Sequence, residues 1–329
     1  MAEKVTHGRF APTPSGRMHA GNIMAALLAW LSCRSEGGTM VLRIEDLDPR
    51  AQDRKNAELL MDDLSWLGLG WDEGPFYQSE RRDIYREAIV ELRERGLTYP
   101  CFCTRAELHA ATAPHASDGT YIYQGTCRHL TKEEVARKSA ERRPATRLIV
   151  PDADDPRGTI SFTDAVYGPQ SEVLARDCGD FLIERSDGVP AYQLAVVVDD
   201  ALMGVTEVVR GHDLLGSCAR QIYLQRLFGY PEPAYAHVPL LIAPSGRRLS
   251  KRDHDLDLGV MRERAGRPGP IIGALAAAVG LAEPGEEVLP ENLISRFSWE
   301  KVRAHRADIV ANAQFLAGPP LVGNHASGV

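Results

Sequence analysis

The sequence lacks any stretch suited to a membrane. Its longest early run without charge, Ile23 to Leu31, is too short to span a bilayer. The first residues have no basic segment followed by an apolar one, so no signal peptide is expected and the cytoplasm is the expected compartment. A basic surplus is also missing: 38 Lys and Arg stand against 45 Asp and Glu, a net charge of −7. That excludes a general nucleic-acid coat, which binds by displacing counterions, but leaves room for an RNA held on one local basic face. Cysteine is sparse, six in 329 residues, and Cys33, Cys178 and Cys218 are scattered like core residues rather than set out as a disulfide framework. Low-complexity tracts and internal repeats are absent.

What is present is an ordinary globular composition, 44% hydrophobic and 25% charged, in a chain long enough for two or three domains. Gly8 to Ala11 reads as a first strand ending at Pro12, and Ile23 to Ser35 as a buried helix broken by Gly37-Gly38. Met40 to Ile44 reads as a second strand. Helical patterning returns with Ala57, Leu60, Leu64 and Leu67, and again from Glu80 to Arg95. This alternation predicts an α/β fold with a parallel sheet. The pattern breaks between residues 99 and 178, which hold a capping box at Thr131 and Glu134 and short strands near Arg147–Val150 and Thr159–Thr163. It resumes with Asp180–Arg185 and Ala191–Val198 flanking a hairpin-type Ser186-Asp187-Gly188 turn, then a strand at Val205–Val209 and a helix from about Leu214. An insertion therefore splits one α/β domain, and the chain beyond Lys251 turns helical.

Two segments carry phosphate chemistry. Pro12-Thr13-Pro14-Ser15-Gly16-Arg17-Met18-His19-Ala20-Gly21-Asn22 lies after a strand and opens a helix, where free N–H groups and the positive dipole end attract anions. Gly21 lets a nucleotide approach the backbone, and His19 can donate to a phosphate oxygen; a histidine that merely caps a βα turn would read the same. Ser245-Gly246-Arg247-Arg248-Leu249-Ser250-Lys251-Arg252 is a Gly-hinged loop of four cations that suits a polyphosphate, with Lys251 offsetting charge on the α-phosphate as pyrophosphate departs. Basic loops are more often solvated surface. The two segments in this order, about 230 residues apart around an interrupted α/β domain, are far more specific than either alone.

On these residues the chain resembles a class I aminoacyl-tRNA synthetase of the glutamate/glutamine group. His19-Ala20-Gly21-Asn22 matches the family's His-Ile-Gly-His signature, with Asn22 in place of the last histidine. Arg248-Leu249-Ser250-Lys251-Arg252 matches its Lys-Met-Ser-Lys-Ser, with arginines at both ends. Arg9 to Gly16, Arg43-Ile44-Glu45-Asp46-Leu47-Asp48 and Arg210-Gly211-His212-Asp213-Leu214-Leu215 are similar to further hallmarks, so that the match runs from Gly8 to about residue 260. The resemblance implies a Rossmann-type catalytic domain in halves 1–98 and 179–245, an inserted zinc-binding and RNA-contact subdomain at 99–178, and the loop plus a small helical stem-contact domain at 246–329. It implies catalytic roles for His19 and Lys251. ATP, with Mg²⁺ on its phosphates, would lie against Pro12, His19, Gly21, Asn22 and Arg248 to Arg252, that is Arg248, Leu249, Ser250, Lys251 and Arg252.

A glutamate ligand brings two carboxylates and an ammonium. Arg9 and Arg210 can each present a planar fork to a carboxylate, Glu45 at a strand end can pair with the ammonium, and Tyr192 adds a hydroxyl and a wall. Surface ion pairs and a core tyrosine are the plain alternatives. The resemblance places substrate contacts at these four positions and along Phe10, Ala11, Pro12 and Thr13. Guanidinium groups facing the side chain favour glutamate over neutral glutamine.

Cys101, Cys103 and Cys127, with one further ligand, suit a closed structural Zn²⁺ site. By residue type the fourth ligand is open among His109, His115, His129 and Tyr123; the short glutamyl enzymes that the chain resembles use a tyrosine four residues before the last cysteine, here Tyr123. Only 78 residues follow Lys251, less than a helical region plus an anticodon-binding domain of about 100 residues would need. That shortness resembles a branch whose members activate L-glutamate without tRNA and esterify it to the queuosine base in the anticodon of tRNA(Asp), as monomers. The anticodon stem-loop would then meet the insertion, where Arg128, Lys132, Arg137, Lys138, Arg142 and Arg143 offer cations. A truncated acceptor-end glutamyl-tRNA synthetase and a catalytically silent tRNA-binding paralogue are the rival expectations; intact His19, Lys251, Glu45, Arg9 and Arg210 speak against the silent one.

Overall fold

The computed structural model describes residues 5–104, 107, 122–247, 249, 256–311 and 315. β1 (His7–Phe10) pairs in parallel with β2 (Thr39–Ile44), Gly8 opposite Met40, and β2 pairs in parallel with β3 (Glu73–Tyr77). α1 (Ala20–Ser35) connects β1 to β2 and buries Ile23, Met24, Leu27, Leu28 and Leu31. It starts at Ala20 rather than Ile23 because His19 caps it. α2 (Arg54–Trp66) and α3 (Arg82–Glu94) follow, each presenting a narrow apolar face.

On the other side, β9 (Glu207–Gly211) pairs in parallel with β10 (Ala234–Val238), and α7 (Cys218–Phe228) crosses between them. β9 runs beside β1: the Thr206 amide donates to His7 O at 2.9 Å and Arg9 Nη1 to Val209 O at 2.9 Å. The strands thus line up as β3-β2-β1-β9-β10, with the chain turning outward in opposite directions from the β1/β9 seam. In such sheets ligands bind where strand order reverses, beyond the carboxyl ends.

Between the halves stand β4 (Thr98–Cys101), α4 (Lys132–Glu141), β5 (Ala145–Leu148), β6 (Thr159–Asp164), β7 (Gly168–Val173), the single-turn α5 (Leu174–Asp177) and β8 (Phe181–Glu184). β4, β5 and β8 form an antiparallel sheet, whereas the β6–β7 hairpin extends the central sheet, β6 lying parallel to β10. Hydrogen bonding therefore crosses the 178/179 junction in both directions.

The second arm expected for the hairpin at Ala191–Val198 is instead α6 (Tyr192–Leu202). Its β-branched run favours a strand by propensity, but the segment between β8 and β9 instead forms an eleven-residue helix that buries Leu194 to Asp200. The remaining elements are β11 (Leu241–Ile242), α8 (Leu258–Ala265), α9 (Gly269–Ala278), α10 (Trp299–Ala304) and β12 (Ile309–Val310). Leu258, Met261, Ile272, Leu275 and Val302 share a core with Ile23 and Leu27 of α1. A second core, around α3, α6 and α7, includes Tyr85, Ile89, Leu194, Val198 and Ile222; a third and much smaller one is Tyr99, Cys101, Phe102, Tyr123 and Cys127. No described helix is long and apolar enough to cross a membrane.

Candidate active site

The carboxyl ends of β1, β2, β9 and β10 open on a cavity of about 650 Å³ at the seam. Its lining includes every position expected to contact glutamate: Arg9, Phe10, Ala11, Pro12, Thr13, Glu45, Tyr192 and Arg210. Pro12, His19, Gly21 and Asn22 line it as well. Of the second phosphate loop, Arg248, Ser250, Lys251 and Arg252 lie outside the described residues. Leu249 is 3% exposed in the core, its amide directed at Leu241 O (3.4 Å), and does not line the cavity.

His19 is the N-cap of α1. Its Nδ1 accepts from the amides of Gly21 (3.1 Å) and Asn22 (3.4 Å), and Asn22 Oδ1 accepts from the His19 amide (3.4 Å), a reciprocal box. Amides only donate, so Nδ1 holds a lone pair and the ring proton sits on Nε2. Capping and phosphate donation are therefore one arrangement, since the cap selects the tautomer that can donate. Met18 ahead of it is held by its amide donating to Asp63 Oδ2 at 3.3 Å.

A buried charge network stands behind the cavity floor. Arg43, fully buried, gives Nη1 to Asp200 Oδ1 (2.6 Å) and Nη2 to Glu45 Oε1 (3.1 Å), with Nε 3.7 Å from Asp199 Oδ2. Asp199 also accepts from Gln78 (2.9 Å), Arg81 (2.7 Å) and Tyr85 (2.7 Å). Burial raises Glu45 above the ordinary carboxylate range; the Arg43 guanidinium opposes that rise without cancelling it. Arg9 has the mirror problem: burial lowers its pKa, partly offset by Asp200, whose Oδ1 is 3.8 Å from Arg9 Nε. Among the described residues Arg9 Nε has no hydrogen-bond partner. A ligand carrying both charge signs would relieve both groups.

Arg210 does not offer the free fork that its residue type promises. Nε donates to His237 Nε2 (3.0 Å), and Nη2 to Leu214 O (3.2 Å) and Cys218 Sγ (3.1 Å). Nη1 donates to the Oη of Tyr192 (3.3 Å), which lines the cavity as Arg210 does.

In the insertion, Sγ of Cys103 and Cys127 are 3.6 Å apart, and Tyr123 Oη lies 3.6 Å from Cys101 Sγ and 3.4 Å from Cys103 Sγ. The three sulfurs all fall within 4.8 Å of one another, a group able to hold a metal ion. Metal–sulfur bonds of about 2.3 Å in a tetrahedron put sulfurs about 3.8 Å apart, close to this spacing. Tyr123 Oη also accepts from the Cys127 amide (2.8 Å), and Arg147 lies over its ring (3.7 Å) while donating to Cys101 Sγ (3.3 Å). Burial pushes the Cys103 thiol up to about 12, a cost that a bound cation would reverse. His129 is exposed and stands apart from the cluster, whereas His109 and His115 lie outside the described residues. Of the insertion's cations, Arg128 pairs with Asp152 and Asp180, Arg137 with Glu141, and Arg143 with Glu184.

Sequence reasoning assigned no role to Arg43, Asp164, Asp200 or His237. Arg43 carried a usable signal, since it sits two residues before Glu45 and so on the same face of one strand. Asp200 lies two residues past the Ala191–Val198 run, in the helix that replaces the expected strand. Asp164 and His237 carried none.

The model for the catalytic domain of class I tRNA synthetases (E and Q) matches residues 5–306: the chain belongs to this family and is a ligase. Within it, the chain falls among proteins named glutamyl-Q tRNA(Asp) synthetase. It is 49% identical to that of Symbiobacterium thermophilum over 308 residues, 90% of this chain and 93% of the relative. It is 48% identical to that of Nitratidesulfovibrio vulgaris, over 83% of this chain and 86% of the relative. A crystal structure of a glutamate tRNA ligase from Elizabethkingia meningosepticum in complex with its amino acid superposes with a TM-score of 0.79 at 28% identity, covering 95% of this chain and 68% of that one.

Proposed function

We propose that the chain activates L-glutamate with ATP, in the absence of RNA, and then transfers glutamate to the queuosine in the anticodon of tRNA(Asp). The observation that carries the first half is the convergence of Arg9, Glu45, Tyr192, Arg210 and the capped N-terminus of α1 on one cavity at the seam of a parallel sheet. Arg210 Nη1 and Tyr192 Oη take the side-chain carboxylate, Glu45 takes the ammonium, and Arg9 neutralises the floor. ATP lies over the α1 N-terminus, His19 Nε2 donates to a phosphate oxygen, and Lys251 offsets the charge that builds on the α-phosphate. The α-carboxylate oxygen attacks the α-phosphorus, the bond to the β-phosphate oxygen breaks, and pyrophosphate leaves; Mg²⁺ on the phosphates would offset its charge. No protein nucleophile is required; positioning and charge stabilisation supply the rate.

Zn²⁺ held by Cys101, Cys103, Cys127 and Tyr123 would be structural, bracing a local core that numbers five buried residues among those described. The insertion at 99–178 then contributes RNA contacts, with the protein acting as a monomer. The names of the relatives support queuosine of tRNA(Asp) as acceptor. Glutamate-dependent ATP–pyrophosphate exchange without RNA tests the first step, and its absence would sink it. Charging tRNA(Asp) with and without queuosine tests the second: esterification that ignores the modification, or that goes to tRNA(Glu), overturns the acceptor.

A further inference from the structure

The buried end of Arg210 is held by a chain of groups on three adjacent strands. Asp164 ends β6, His237 lies in β10 and Arg210 in β9; Asp164 and His237 are both fully buried. Asp164 Oδ1 accepts the amides of Val166 (2.9 Å) and Tyr167 (2.8 Å), while Oδ2 accepts the His237 amide (3.0 Å) and lies 2.6 Å from His237 Nδ1. A carboxylate so supplied with donors stays ionised, and it has only lone pairs to offer Nδ1. The imidazole proton is thereby fixed on Nδ1, and Nε2 must accept. It accepts the Nε–H of Arg210 at 3.0 Å. Burial, with Arg210 alongside, holds His237 below its ordinary pKa and so neutral, as an acceptor must be.

We propose that Asp164 and His237 are positioning residues for amino-acid selection: the carboxylate fixes the tautomer, and the tautomer aims Nη1 of Arg210 at the substrate side chain. With Nη2 spent on Leu214 and Cys218, a rotation of the guanidinium would trade the nitrogen beside Tyr192 for one already engaged. A single aimed donor beside Tyr192 rewards a side-chain carboxylate over a carboxamide only while its direction is kept. This inference rests on the reading that Arg210 meets the glutamate side chain.

The two amide isosteres of histidine separate the parts. In His237→Gln the side-chain oxygen takes the place of Nε2 and still accepts from Arg210. In His237→Asn the nitrogen takes the place of Nδ1, keeping the bond to Asp164 and losing the acceptor. In glutamate-dependent pyrophosphate exchange, H237N should raise the KM for glutamate about tenfold, the size of one lost hydrogen bond to a charged group, and narrow the preference over glutamine. The KM for ATP should hold, and H237Q should recover most of the loss. Asp164→Asn gives the same test if H237N does not fold. The Val166 and Tyr167 amides keep its oxygen on their side, its nitrogen donates to Nδ1 while leaving the His237 amide without its acceptor, and the proton is forced onto Nε2 against Arg210; a rise in glutamate KM with ATP unchanged is again expected. Equal KM values in H237N, H237Q and wild type, or equal losses in H237N and H237Q, overturn the relay. Arg210→Lys separates the two levels. If it impairs glutamate while H237N and D164N do not, the relay fails and the pocket stands. If it leaves glutamate KM unchanged, the pocket reading itself falls.

Discussion

At the scale of single residues, close contact and buried charge dominate. A Cβ on Gly21 would lie 3.1 Å from Cε1 and 3.2 Å from Nδ1 of His19, so Gly21→Ala must push the imidazole by a few tenths of an ångström. In a helix alanine is better than glycine by about 1 kcal/mol, so stability should hold or rise. Exchange activity should instead fall, by about tenfold, as the Nε2 donor shifts. Thermal melting and pyrophosphate exchange on one preparation check this, and an unchanged exchange rate would remove His19 from the phosphate site. Arg43 is the opposite case, a group whose loss unfolds rather than misaligns. Replacing it by Met leaves Glu45, Asp199 and Asp200 without their shared cation, and breaking a buried pair costs about 3–5 kcal/mol. Urea denaturation should register that loss, and adding Asp200→Asn should recover part of it, giving a non-zero coupling energy in the double-mutant cycle.

Among the elements, the loop after β9 and the strand β12 are clipped together. His212 Nε2 sits 2.7 Å from Asp308 Oδ1, and that oxygen also accepts the Leu240 amide at 3.2 Å. The hydrogen bond to Asp308 raises His212 above 6.5. Burial raises Asp308, but the hydrogen bond and charge of His212 together with the Leu240 amide outweigh it and leave the carboxyl below 3.8. The raised histidine contributes stability that is complete below pH 6.5 and lost as pH rises through its folded pKa. The depressed aspartate contributes above pH 3.8 and fails as pH falls through its folded value. Both partners are about a third exposed, so screening keeps the pair below about 1 kcal/mol. His212→Ala should lower the melting temperature more at about pH 5.5 than at about pH 8.5; a gap that does not shrink at the higher pH would mean packing, not charge, holds the clip. The same scale explains what the sequence disclosed. Strand-end residues such as Arg9, Glu45 and Arg210 were legible because parallel strands deliver their C-terminal residues to one crevice. Ala191–Val198 was not, because three valines in a row favour a strand locally while burial in the helix layer decides otherwise. The His237–Asp164 contact spans 73 residues and leaves no periodic trace in either segment.

Across the whole molecule, the adenylating crevice and the cysteine cluster occupy different cores. Arg9, Glu45 and Arg210 sit at the seam of the parallel sheet, whereas the cluster belongs to a core of five buried residues. Among the described residues so small a core does not offset the entropy of ordering its chain, and α4 beside it buries no residue. Three thiols within 4.8 Å of one another, with the Tyr123 phenol 3.4 Å from Cys103, would supplement that packing with metal bonds. Binding one zinc should therefore stabilise the insertion selectively. After chelation, or in Cys127→Ser, amide hydrogen exchange should quicken from residue 99 to about 150 while α1 and β2 keep their protection. Glutamate-dependent pyrophosphate exchange should stay within about threefold of the metal-loaded protein, and esterification of the RNA should drop by more than about tenfold. Parallel losses in both activities would tie the cluster to the crevice through β8, whose C-terminal end leads into α6 and Tyr192.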